Sequence, residues 1–145
     1  MRAYMYVFNT LSDWEWGFIS AELNTGRFFK NSGVKVPVTT IANTLDPIRT
    51  MGDISIVPYK RLDEISFADD DILILPGGET WLTSEHEPVL VAAEKLLARR
   101  VLVAAICGAT EAFANRGILD SRKHTSTSLS HLEHICPNYR GRDHF

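Results

Sequence analysis

The chain has 145 residues, enough for one domain with its own core, and its 45% hydrophobic and 23% charged residues are those of an ordinary globular protein. A net charge of −3 at pH 7 provides no broad basic surface, which argues against nucleic-acid binding. No segment approaches the roughly 18 uninterrupted apolar residues of a membrane span, and the start lacks the basic and long apolar regions of a signal peptide, so the expectation is a cytoplasmic protein with no membrane partner.

Ala3 to Phe8 is a compact apolar run suited to a first buried strand, after which Asn9 and Thr10 turn the chain. Ser12 and Asp13 can cap a helix over 14–30, with Trp14, Phe18 and Ala21 spaced for one buried face and Asn31, Ser32 and Gly33 stopping it. Val34 to Ile41 reads as a strand, and Pro37, which cannot donate to a ladder, suggests the sheet edge. Ile48 to Met51 and Ile54 to Val57, joined through Gly52 and Asp53, form a small hairpin, followed by a short helical turn at 62–66. Asp71 to Leu75 is the next core strand, ended by Pro76, Gly77 and Gly78.

Thr83 or Ser84 can cap a helix with Glu85, Glu87 and Pro88 in its first turn and Val89, Leu90, Ala93, Leu96 and Leu97 on its core face. That helix feeds Val101 to Ala105, a run suited to a strand buried on both faces. Ile106, Cys107 and Gly108 then lead into a helix over Ala109 to Ala114 that ends near Gly117. Beyond Gly117 the pattern suggests a short strand at 123–126 and a helix at 128–135 ended by Pro137, with a polar tail over 138–145. The alternation of strands and helices predicts an α/β fold: one flavodoxin-like domain over 1–145, a doubly wound, mostly parallel sheet in a three-layer α/β/α sandwich with a small β-hairpin.

Cys107 sits where strand passes into helix. Such a switch lifts one side chain above the carboxyl end of the sheet and needs small neighbours, here Ala105 and Ala109. The helix amides and dipole would favour a thiolate and lower the thiol pKa, and the Gly108 amide could face an oxyanion. A buried structural cysteine is the competing reading. Cys107 and Cys136 fit neither a disulfide framework nor zinc spacing, which agrees with a reducing compartment.

Three stretches, SDWEWGF with Glu15, DILILPGGETW and VLVAAICGAT, together resemble the ThiJ/PfpI family of the class I glutamine amidotransferase-like superfamily over roughly residues 1–124. The resemblance implies that Cys107 is the reactive cysteine and that Glu15 is held protonated and hydrogen-bonds its sulfur; Ser12-x-x-Glu15 also reads as a capping box. It implies that Gly77 and Gly78 form a turn whose amide completes an oxyanion site opposite Gly108, with a merely structural turn as the alternative. Trp81 either walls the pocket or caps the core. Many family members place a histidine directly after the cysteine, where this chain has Gly108; His124 is the remaining candidate base, or else a surface histidine.

The resemblance also implies a small-molecule or peptide substrate, a homodimer, and a further strand and C-terminal helix to which nothing in this tail corresponds, so a fragment of a longer protein is expected. His131-x-x-His134 with Glu133 and His144 lacks an acid at a defined third position, so no metal is assigned, and the proposed chemistry requires no cofactor. A loop Asn9-Thr10-Leu11-Ser12 without glycines does not suit a phosphate. Two functions are consistent with these residues: a cysteine-dependent peptidase, amidase or glyoxalase-type enzyme, or an oxidative-stress sensor or chaperone-like protein whose Cys107 is reversibly oxidised without turnover.

Overall fold

A computed structural model describes residues 1–31 and 33–145; Ser32, one of the expected helix-stop residues, lies outside the described residues. In chain order the regular elements are β1 (Ala3–Tyr6), α1 (Asp13–Thr25), β2 (Val38–Ala42), β3 (Ile48–Arg49), β4 (Ser55–Ile56), β5 (Lys60–Arg61), β6 (Ile72–Leu75), α2 (Glu87–Ala98), β7 (Leu102–Ala105), α3 (Gly108–Asn115) and α4 (Leu129–Ile135). The main sheet runs β5-β2-β1-β6-β7 and every pairing in it is parallel. β1 lies at its centre, with Met5 between Thr40 and Ile74, and all four of its residues are buried. β3 and β4 form the separate antiparallel hairpin, with Ile48 opposite Ile56. This is the predicted mostly parallel α/β sheet with helices and a small hairpin.

Two features at the β2 end differ from the sequence reading. The strand starts after Pro37, whose carbonyl accepts from the Ala3 amide at 2.9 Å, so the proline sits outside the ladder and β2 pairs on both sides. The edge is the two-residue β5. At the other edge, β7 has one pairing partner among the described residues, and Leu102 is 59% exposed, so this strand is not buried on both faces. The segment 123–126 forms no strand.

The first helix shows where periodicity misleads. α1 carries two apolar stripes, Trp14/Phe18/Ala21 and Trp16/Ile19/Leu23, and only the second packs on the core; Trp14 is 65% and Phe18 78% exposed. Two tethers set the rotation: Asp13 Oδ2 accepts from the Gly52 amide at 2.7 Å, and the Glu15 carboxylate accepts from the Gly77 amide. The helix also stops sooner than expected. Gly26 adopts φ 62°, its N–H closes on Glu22 O, and a Cβ there would collide with the Val34 carbonyl.

Beneath the carboxyl end of β1 lies an aromatic cluster of Tyr6, Phe8, Trp81 and His86, with the His86 ring centroid 4.6 Å from Trp81 and 4.7 Å from Phe8. His86 is fully buried, its Nδ1 3.3 Å from Tyr6 Oη and its Nε2 2.9 Å from Thr80 Oγ1. Burial pushes its pKa down to about 4. The unfolded chain protonates this histidine below about 6.5 while the fold resists, so stability present above that pH is lost as pH falls towards about 4. Urea unfolding at pH 7, 5.5 and 4.5 should show a decline to which His86 contributes about 2 kcal/mol, and H86F should flatten that decline.

Candidate functional site

β6 and β7 run side by side and deliver their carboxyl ends to the same place. The Ile106 amide donates to Leu75 O at 3.0 Å, and the chain then turns through Cys107 at φ 51°, ψ −121° directly into α3. A non-glycine residue at positive φ is strained and persists only where its surroundings hold it. Here Thr110 does so twice, its amide reaching Cys107 O at 2.8 Å and its Oγ1 reaching the same oxygen at 2.6 Å. Thr110 Oγ1 also lies 2.8 Å from Ser126 Oγ, which ties the later loop to the elbow. The Cys107 thiol is exposed at the top of this turn.

Glu15 arrives from the first turn of α1. It does not form the capping box that its spacing from Ser12 allows, because the Ser12 amide instead donates to Gly77 O at 3.0 Å while the Gly77 amide donates to Glu15 Oε2. The two ends of this clamp leave no space at Gly77: a Cβ there would lie 2.7 Å from Glu15 Oε1 and 2.8 Å from Cys107 Cβ. Glu15, Gly77 and Cys107 therefore converge, as their sequence stretches suggested. Gly108 packs equally closely on Gly78, whose carbonyl oxygen would be 2.6 Å from an added Cβ. As the first residue of α3, Gly108 presents an amide without an intrahelical acceptor.

The remaining site candidates lie elsewhere. Trp81 is 1% exposed and its Nε1 donates to Pro76 O at 2.8 Å, so it supports the turn from within the core and does not wall an open pocket. His124 is turned to the C-terminal segment: Nδ1 is 2.6 Å from Arg122 O, Nε2 is 2.8 Å from Tyr139 Oη, and its ring packs edge-on against Tyr139 and Phe145. With both nitrogens engaged there, it is not placed as a base for Cys107. Among the described residues no group of three histidine, cysteine or acidic side chains is arranged to hold a metal; His131 lies instead 2.9 Å from Glu111.

The electrostatics also differ from the sequence expectation. The Cys107 pKa is raised, first by desolvation and then by the negative charge of Glu15, with a smaller contribution from Glu111; the Gly108 amide opposes them. The favourable amide at the start of α3 is therefore outweighed by desolvation together with the two carboxylates.

Sequence reasoning missed Thr110, whose three-residue spacing from Cys107 is a recognisable local hydroxyl cap, and Thr10. Thr10 sits at φ 75°, donates its amide to Arg49 O at 2.8 Å and accepts from the Glu79 amide through Oγ1 at 3.0 Å. It helps form a recess of about 410 Å³ beside the glycine turn, lined by Asn9, Thr10, Arg49, Thr50, Met51 and Glu79. A larger recess of about 590 Å³ lies between the 62–67 segment and α2 and contains none of the converging residues.

A parallel α/β sheet with a strained cysteine at the strand-to-helix turn, facing a glycine turn and a glutamate, defines a cysteine-elbow α/β protein. Residues 1–140 match the DJ-1/PfpI family, and the chain belongs to that family. It is 46% identical to a Bacillus subtilis protein named uncharacterized protease YoaZ, over 97% of this chain and 67% of the relative. Among solved structures, a thiJ/pfpI family protein from Bacillus anthracis superposes with a TM-score of 0.91 at 47% identity, covering 99% of this chain and 68% of that one. A DJ-1 superfamily protein from Agrobacterium tumefaciens has a TM-score of 0.80 at 26% identity, covering 99% and 72% respectively. The chain thus spans about two thirds of the length of its relatives. No helix among the described residues is long and apolar enough to cross a membrane.

Because the Glu15 charge raises the Cys107 pKa, Glu15→Gln should move the pH midpoint of Cys107 alkylation downward, read by intact mass after iodoacetamide pulses. A glutamate acting only as a neutral donor to the sulfur predicts no downward movement.

Proposed function

We propose that the protein is a cysteine-dependent enzyme that acts on an amide or reactive carbonyl, in the manner of a peptidase, amidase or glyoxalase-type enzyme. The observation that carries this reading is the convergence of Glu15 and the strained Cys107 on Gly77. Cys107 Sγ attacks the carbonyl carbon while the thiol proton passes to Glu15, and the carbonyl electron pair moves onto an oxygen held by the Gly78 and Gly108 amides. Collapse expels the amine, which takes the proton back from Glu15. Water then cleaves the thioester, freeing the acid and restoring the thiol. Glu15 fills the base role that His124 does not reach, and the name of the relative YoaZ as a protease supports an acyl-transfer chemistry.

The second reading, a redox sensor without turnover, is favoured by the exposure of Cys107 beside a carboxylate. A panel of peptides, simple amides and methylglyoxal separates the two. Turnover in the parent that falls on the order of a thousandfold or more in Cys107→Ser, and strongly in Glu15→Gln despite its more acidic thiol, establishes the enzyme. No turnover, with peroxide converting Cys107 to sulfenic or sulfinic acid, establishes the sensor.

The outward stripe of α1, with Trp14 and Phe18 exposed around Gly17, which has open space above it, supports a homodimer formed through this helix. Sedimentation should show a dimer that Phe18→Glu weakens at least about tenfold, since a buried charge replaces an aromatic contact.

A further inference from the structure

The recess between the 62–67 segment and α2, about 590 Å³, is of a size that takes a small organic molecule. One wall is Leu62, Ile65 and Phe67, and the other is Val91 and Ala92 on α2. All five residues are half-buried, so each still presents apolar surface. Both walls are fixed. Phe67 packs edge-on against Tyr4 with ring centroids 5.0 Å apart, the Ile65 amide donates to Leu62 O at 3.1 Å, and the Ala68 amide donates to Asp71 Oδ2 at 2.9 Å. α2 is anchored through Val89, Leu90, Ala93 and Leu96, all buried. Arg99 spans the two walls, its Nη2 donating to Phe67 O at 3.0 Å. A recess held in this way needs little ordering when it is occupied.

The charges on the recess leave one cation over. Of the charged side chains that line it, Asp63 pairs with Arg61 at 3.2 Å and Arg99 pairs with Asp69 at 2.5 Å. Lys95, exposed in the last turn of α2, has no ion-pair partner among the described residues. The helix end does not oppose an anion there, because the carbonyls of Lys95, Leu96 and Leu97 are already engaged by the amides of Arg99, Arg100 and Val101. An apolar slot with a single uncompensated ammonium at its rim is complementary to a molecule with an apolar body and one negative charge.

We propose that this recess is a second binding site, for a small amphipathic monoanion: an aliphatic or aryl carboxylate whose apolar body lies between the 62–67 wall and α2 and whose carboxylate pairs with Lys95. None of the residues that converge on Cys107 lines the recess, so the site does not rest on the chemistry proposed there. Its selectivity has a definite sign. An amphipathic cation of the same length gains the same apolar contact but meets Lys95 as a like charge, and a carboxylate meets it as an opposite one.

The test is titration of the full chain with octanoate and with octylammonium, equal in length and opposite in charge, followed by calorimetry and by backbone amide chemical shifts at neutral pH and low salt. Octanoate should bind with shifts centred on residues 62–67 and 88–99, and about fivefold or more tighter than octylammonium. Lys95→Glu should invert that preference. Ala92→Trp, which fills the recess, should abolish binding of both ions. Because Lys95 is exposed, its replacement leaves the core untouched and keeps the test decisive should Ala92→Trp disturb α2. Equal affinity for the two ions, a preference unchanged in Lys95→Glu, shifts centred on the exposed stripe of α1 or the β7 edge, or no octanoate binding at millimolar concentration would each overturn the inference.

Discussion

The site depends on a reciprocal pair of hydrogen bonds: Ser12 N–H to Gly77 O, and Gly77 N–H to the Glu15 carboxylate. This clamp joins the first turn of α1 to the turn after β6, and two consequences follow. It sets which stripe of α1 faces the core, and it delivers Glu15 to the same glycine that Cys107 packs against. A side chain at position 77 would force apart the acid and the thiol together, which is why this position excludes a Cβ when many turn glycines do not.

The clamp works because the strands beneath it are in register. β1 lies between β2 and β6, and β7 extends the sheet past β6, so the carboxyl ends of β6 and β7 emerge side by side. The Phe8, Trp81 and His86 cluster fills the space below the glycine turn, and the Trp81 indole holds the Pro76 carbonyl. Trp81, which the sequence offers as either a pocket wall or a core cap, is thus part of the foundation on which the turn rests.

The thiol environment balances three effects of different range. Dehydration and carboxylate charge both disfavour the thiolate, and a single amide at the start of α3 favours it. In the short term this makes Cys107 a weaker acid than its position at a helix N-terminus suggests.

The strands β1, β2, β6 and β7, the hairpin, the core face of α2 and the elbow around Cys107 were legible in the sequence, because each depends on residues close together along the chain: apolar runs, Gly52 and Asp53 in a turn, and small residues flanking the cysteine; the two-residue edge strand β5 was not, and the strand expected at 123–126 does not form. Glu15 and the glycine turn were legible only through their resemblance to a family pattern. What the tertiary structure alone decided are the long-range choices: which of the two apolar stripes of α1 is buried, whether Glu15 caps its own helix or reaches Gly77, where His124 turns, and that Glu111 and His131 meet. Periodicity defines a stripe but not its partner. Helix rotation and the field at a thiol are set by groups distant in sequence and only a few ångströms apart in space.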